Sequence, residues 1–181
     1  MVYEEIELRG FMDSSNIFVS QRNQSPYGDS GCGVACAMML LKNIDFRPLP
    51  AWHELCTELN LEKDPKIRGY QNDDPEVGLY PEDLFRYIIR QNFHFRMHFF
   101  DDEWQSALLK APIMVLLDGV LEEFPEDAHW IVLTKLDNGY FSYLDPWEKS
   151  YTLACKQISF DRFKQIYTGL ACQLLACGGK L

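Results

Sequence analysis

No stretch of the 181-residue sequence approaches the roughly 18 consecutive apolar residues that a membrane-spanning helix needs, so a soluble chain is expected. Positive charge is scarce: 17 Lys and Arg stand against 27 Asp and Glu, for a net charge of −10. A nucleic-acid backbone or an anionic membrane would be repelled by that balance, and no local cluster of Lys and Arg offsets it. The amino terminus lacks a classical export signal, because Met1 to Glu7 carries acids where basic residues and a long apolar segment would be needed. A cytoplasmic protein, or one exported without a classical signal, is the expectation. Internal repeats and low-complexity segments are also missing.

What is present is material for a core. Hydrophobic residues make up 47% of the chain, enough at this length for a single domain spanning residues 1–181 that folds without disulfides or metal. Six cysteines, at 32, 36, 56, 155, 172 and 177, read in the absence of an export signal as reduced thiols, most of them small buried hydrophobes.

Ile17, Phe18 and Val19 form a short apolar run suited to a strand, followed by a Pro- and Gly-bearing loop from Gln21 to Gly31. From Cys32 to Leu41 every residue except Gly33 is apolar or carries sulfur, which predicts a helix with no polar face, buried nearly all round, with Asp29 and Ser30 available as caps. Trp52, Leu55, Cys56 and Leu59 recur at helical spacing, then a polar segment from Glu62 to Gly78 reads as a long surface loop. Pro81, Glu82 and Asp83 have the composition of a helix first turn. Phe93, Phe95, Met97 and Phe99 alternate with polar residues as a strand does, and Asp102 with Gln105 suggests a capping box for a short helix through Leu109.

The apolar run Pro112 to Leu117 predicts a strand, and Ala128 to Thr134, Asp137-Asn138-Gly139 and Tyr140 to Asp145 predict a hairpin after an acidic loop from Glu122 to Asp127. Ser159 opens a last helix that Gly169 can stop, with Leu170 to Ala176 returning as a strand. Helices early and antiparallel strands late describe an α+β fold.

A thiol is a useful nucleophile only as thiolate, and a helix N-terminus favours the thiolate through its free N–H groups and partial positive charge. Cys32 has that address, between Gly31 and Gly33, which permit close backbone approach. A lone buried cysteine is ordinarily structural, so the reading depends on partners. His129 opens one hairpin strand and Asp145 ends the other, so both lie at the hairpin's open end.

A three-residue loop centred on Asn138 sets Asp145 opposite Ile131, with His129 a diagonal neighbour on the same face. A two-residue loop shifts the register by one and puts the pair on opposite faces. The catalytic reading therefore requires the longer loop or a bulge. Asp145 then orients His129, and His129 exchanges the proton of Cys32 with a leaving group. No cofactor is called for.

The other chemistry-bearing residues fit less well. His94 and His98, four apart on a strand, are about 13 Å apart and cannot share a metal. His53, beside Trp52, reads as structural. Cys32 and Cys36 lie one helical turn apart, but no second Cys/His pair completes a zinc site, so no metal is expected.

The stretch from Ser20 through Gln21, Gly31-Cys32-Gly33 and on to Met39 resembles the nucleophile segment of the bacteriocin-processing (double-glycine) peptidases, a papain-like cysteine peptidase family. Ala128-His129-Trp130, then Asp145-Pro146, then Ser159-Phe160-Asp161 resemble that family's later half. The resemblance implies a papain-like α+β fold, a Cys32–His129–Asp145 triad, and a glutamine that donates to the oxyanion. By local context that glutamine is Gln21, with Gln24 as the alternative nearer the usual papain-like spacing. It implies amide hydrolysis in a peptide or protein substrate. Two alternatives share these residues: a glutamine deamidase or transglutaminase-type effector, and a catalytically silent papain-like binding module.

Overall fold

A computed structural model describes residues 13–61, 78–98, 103–120 and 127–175. Among them a six-stranded, wholly antiparallel sheet runs in the order β1-β6-β2-β3-β4-β5. Its strands are β1 (His94–Met97), β2 (Ile113–Asp118), β3 (Ala128–Asp137), β4 (Tyr140–Leu144), β5 (Cys155–Ser159) and β6 (Tyr167–Leu175). The helices are α1 (Ser14–Ile17), α2 (Cys32–Asn43), α3 (Trp52–Glu58), α4 (Pro81–Arg90), α5 (Trp104–Leu108), α6 (Tyr151–Ala154) and α7 (Phe160–Ile166), with a 3-10 turn at Gln21–Asn23.

The sheet is covered on both faces, which explains why β2 is apolar at successive positions rather than alternating. Met114, Trp130, Val132 and Leu144 face one core with α2, α3 and α4. Ile113, Val115, Ile131, Leu133 and Tyr143 face a second core with α5 and α7, filled around Trp104, whose ring meets Phe141, Phe163 and Tyr167 edge-on at 5.4 to 5.8 Å. Residues Gly33 to Leu41 of α2 are all buried, as a helix without a polar face demands. No helix among the described residues is long and apolar enough to cross a membrane.

The hairpin β3–β4 meets the register requirement by the bulge rather than by the longer loop. Asn138 and Gly139 form a two-residue turn with φ of 49° and 79°, the left-handed pair that Asn-Gly adopts readily, and Asp137 faces Tyr140 across it. Lys135 faces Ser142, yet Leu133 faces Tyr143 and Val132 faces Leu144, so Thr134 is an extra residue in β3. Its hydroxyl donates to the Ser142 carbonyl at 3.1 Å, satisfying a group beside the interrupted ladder. Beyond the bulge, Asp145 follows Leu144 and stands level with Ile131, two residues from His129, instead of level with Val132 on the other face.

Several local expectations are corrected. Ile17 ends helix α1, capped by Asp13 accepting from the Ser15 N–H at 3.0 Å, and no strand forms at Ile17–Val19. Gly31, not Asp29 or Ser30, is the N-cap of α2, and no side chain caps that helix. Gly169 lies inside β6 at φ +88°, beside a register shift against β2, because α7 already ends at Ile166. The strand signalled by the alternation from Phe93 is present as β1, His94–Met97, at the edge of the sheet, with three of its four residues exposed. Asp102, Phe99, Glu122 to Glu126 and most of the 62–78 loop lie outside the described residues.

Candidate active site

Cys32 is the first residue of the twelve-residue α2 and is half-buried. The close fit of its neighbours depends on missing side chains: a Cβ on Gly33 would lie 2.5 Å from Leu79 Cβ, and one on Gly31 would lie 2.7 Å from both the Trp52 ring and the Tyr27 carbonyl. Two indoles fix this surround, Trp130 Nε1 donating to the Leu79 carbonyl at 3.1 Å and Trp52 Nε1 to that of Pro26 at 2.7 Å. With no side-chain cap, the first-turn N–H groups of α2 remain free to face the sulfur or a developing oxyanion.

His129 and Asp145 come together as the bulged register requires. His129 Nε2 lies 2.8 Å from Asp145 Oδ1, both side chains almost wholly buried. His129 is near enough to Cys32 for its charge to bear on the thiol, and with Nε2 engaged by Asp145 the ring nitrogen left for the sulfur is Nδ1. Asp145 Oδ1 also accepts from the Trp147 N–H at 3.0 Å, and its Oδ2 accepts from Lys156 Nζ at 2.8 Å.

These contacts set the protonation states. Burial pushes the Cys32 thiol up, but the hydrogen bond and charge of His129, with backbone hydrogen bonds from Trp130 and Gly33, outweigh it and hold the thiol below its usual range. Burial disfavours the His129 imidazolium, yet the bonds to Asp145 and Cys32 and their charges raise it to about 9. Asp145 would be raised by burial and is instead held at about 2, by His129 first and then by Lys156. The arrangement favours a thiolate–imidazolium pair backed by a carboxylate.

Gln21 is buried at 1% exposure and tied to both halves of the site. Its N–H donates to the Pro146 carbonyl at 2.9 Å, one residue beyond Asp145. Its Nε2 donates to the carbonyls of Gly28 at 3.0 Å and Asp29 at 3.4 Å, on the loop that leads to Cys32. Its Oε1 is buried with no partner. Gln24 is half-buried and faces elsewhere, into a cavity of about 400 Å³ lined also by Phe18, Met38 and Tyr151 and not by Cys32.

The remaining residues separate from this group. Cys36 is fully buried, and burial, then the charges of Cys32 and Asp145, push its thiol well up. His98 is buried against Trp104 with Nε2 3.1 Å from Gln173 Oε1, and His53 is exposed. Lys156 escaped the sequence reading altogether. It lies on β5, a strand that Cys155 to Ser159 does not announce by alternation, and eleven residues from Asp145 no local spacing connects the two.

No protein-family model and no curated protein matches the sequence. Solved structures do. A C39-like peptidase from Bacillus anthracis aligns with a TM-score of 0.68 at 15% identity, over 94% of this chain and all of that one. The peptidase domain of Streptococcus ComA, a bifunctional ABC transporter of a quorum-sensing pathway, aligns at 0.58 and 17% identity, over 88% of this chain and 97% of that one. A double-glycine motif protease from an AMS/PCAT transporter, solved with its leader peptide, aligns at 0.54 and 15% identity, over 88% and 91% of the two chains. With its buried helix packed on an antiparallel sheet, the chain has the papain-like α+β fold of the C39 and double-glycine peptidase domains.

Proposed function

We propose that this chain is a papain-like cysteine peptidase that hydrolyses an amide bond in a peptide or protein. The observation that carries the reading is the His129–Asp145 pair, closed at 2.8 Å and bearing on the thiol of Cys32 at the start of α2. Cys32 is the nucleophile, His129 the general base and acid, and Asp145 the group that orients the ring and stabilises its charged form.

The Cys32 thiolate attacks the amide carbonyl carbon, forming a C–S bond and an oxyanion. The first-turn N–H groups of α2 and Gln21 Nε2 stabilise that oxyanion, which would displace the longer, 3.4 Å contact of Nε2 to Asp29. Imidazolium Nδ1 passes its proton to the departing nitrogen as the C–N bond breaks, leaving a thioester. Water, deprotonated by the now neutral His129, attacks the thioester; the acid is released and the thiolate–imidazolium pair returns. The leader peptide bound by the AMS/PCAT protease favours a peptide as substrate here.

Labelling with a thiol-directed electrophile at about pH 6 tests the nucleophile. Selective labelling that disappears in Cys32→Ala is expected, whereas equal labelling of every accessible cysteine would reduce the chain to a binding module. On peptide substrates a new carboxy terminus is expected; ammonia released without chain cleavage would move the assignment to glutamine deamidation.

A further inference from the structure

We propose that Lys156 is a positioning residue of this site: its ammonium grips the outer oxygen of Asp145 and keeps the inner oxygen aimed at His129. The inference rests on the hydrolase reading and adds a residue to it. Lys156 Nζ lies 2.8 Å from Asp145 Oδ2 and 2.8 Å from Glu148 Oε1, while the Asp145 side chain is only 2% exposed. Asp145 therefore spends one oxygen on His129 Nε2 and the Trp147 N–H and the other on Lys156.

The need for a second cation follows from the reaction cycle. His129 is positive beside the thiolate but neutral in the acyl-enzyme, and a buried carboxylate without a counter-charge protonates or turns away. The groups that bear on Asp145 are His129 from β3, Tyr143 from β4, Lys156 from β5, Glu148, through Lys156, from the turn after β4, and the two α2 thiols Cys32 and Cys36. When His129 is neutral, Lys156 is the only cation in that set. Glu148 holds the other side of the ammonium and limits its swing. Although burial works against it, the two carboxylates keep Lys156 above the usual lysine range, so it stays charged throughout the cycle.

The test follows the pH dependence of Cys32 alkylation by iodoacetamide, with the site located by mass spectrometry, in the full chain and in Lys156→Met and Lys156→Arg. In Lys156→Met the acid limb of Cys32 should move up by about one pH unit, because Asp145, no longer gripped by Lys156, orients less firmly the imidazolium that holds the thiolate, and the rate on that limb should fall about tenfold. Lys156→Arg, which can span the same two carboxylates, should restore the wild-type profile. A Lys156→Met profile that coincides with wild type overturns the inference and leaves the hydrolase reading intact. A wild-type Cys32 that titrates as an ordinary thiol overturns the hydrolase reading itself. If Lys156→Met fails to fold, Lys156→Gln, a donor without charge, carries the same comparison: an unshifted acid limb overturns the proposal.

Discussion

The first and second turns of α2 present the same side chain to opposite fates. Cys32 and Cys36 share one helix and one buried sheet face, yet the first thiol is held below its usual range and the second is pushed well above it. Desolvation raises both. The difference is that the first turn has uncommitted N–H groups and His129 beside it, whereas the N–H groups of the second turn are spent within the helix. The reactivity proposed for Cys32 comes from its position along the helix and from what the hairpin delivers, not from burial.

Removing what the hairpin delivers should erase the contrast. In His129→Ala, Cys32 loses its largest stabilising partner, and its alkylation rate at about pH 6 should fall on the order of a thousandfold, towards that of a buried thiol. Asp145→Ala should cost less, on the order of tenfold to a hundredfold in turnover, because the thiol still meets a histidine. Its signature is the alkaline limb. The imidazolium is lost as pH rises through about 9, and without its principal acceptor it should be lost at lower pH, moving that limb down. Cys36→Ala should have the smallest effect, leaving the alkylation profile of Cys32 unchanged and costing about 1 kcal/mol of stability in denaturant unfolding, as the loss of a small buried side chain.

The sequence showed the two halves of the site more clearly than it showed their joint. The apolar run behind Cys32 announces α2 because a helix buried all round has no polar stripe to hide it, and Asn138-Gly139 announces the hairpin turn. The bulge at Thr134 carries no local mark, since a single extra residue in an apolar strand leaves no pattern, yet it decides whether Asp145 meets His129. Lys156 was invisible for a related reason: its partner is reached across the β4–β5 ladder, and pairing between strands is not written in either one alone. Ile17 to Val19 misled because three apolar residues fit a strand and a buried helix end equally well. The bond from the Gln21 N–H to the Pro146 carbonyl could not be read locally, because it links residues 125 positions apart.

The central claim is that Cys32 and His129 rest as a thiolate–imidazolium pair. Thiolate absorbance near 240 nm, followed against pH as the difference between wild type and Cys32→Ala, tests it most directly. One thiolate should be present well below the ordinary thiol range, with no further thiolate from Cys32 appearing as the pH passes through that range. A difference signal that emerges only as the pH passes the ordinary thiol value of about 8.5 would contradict the account.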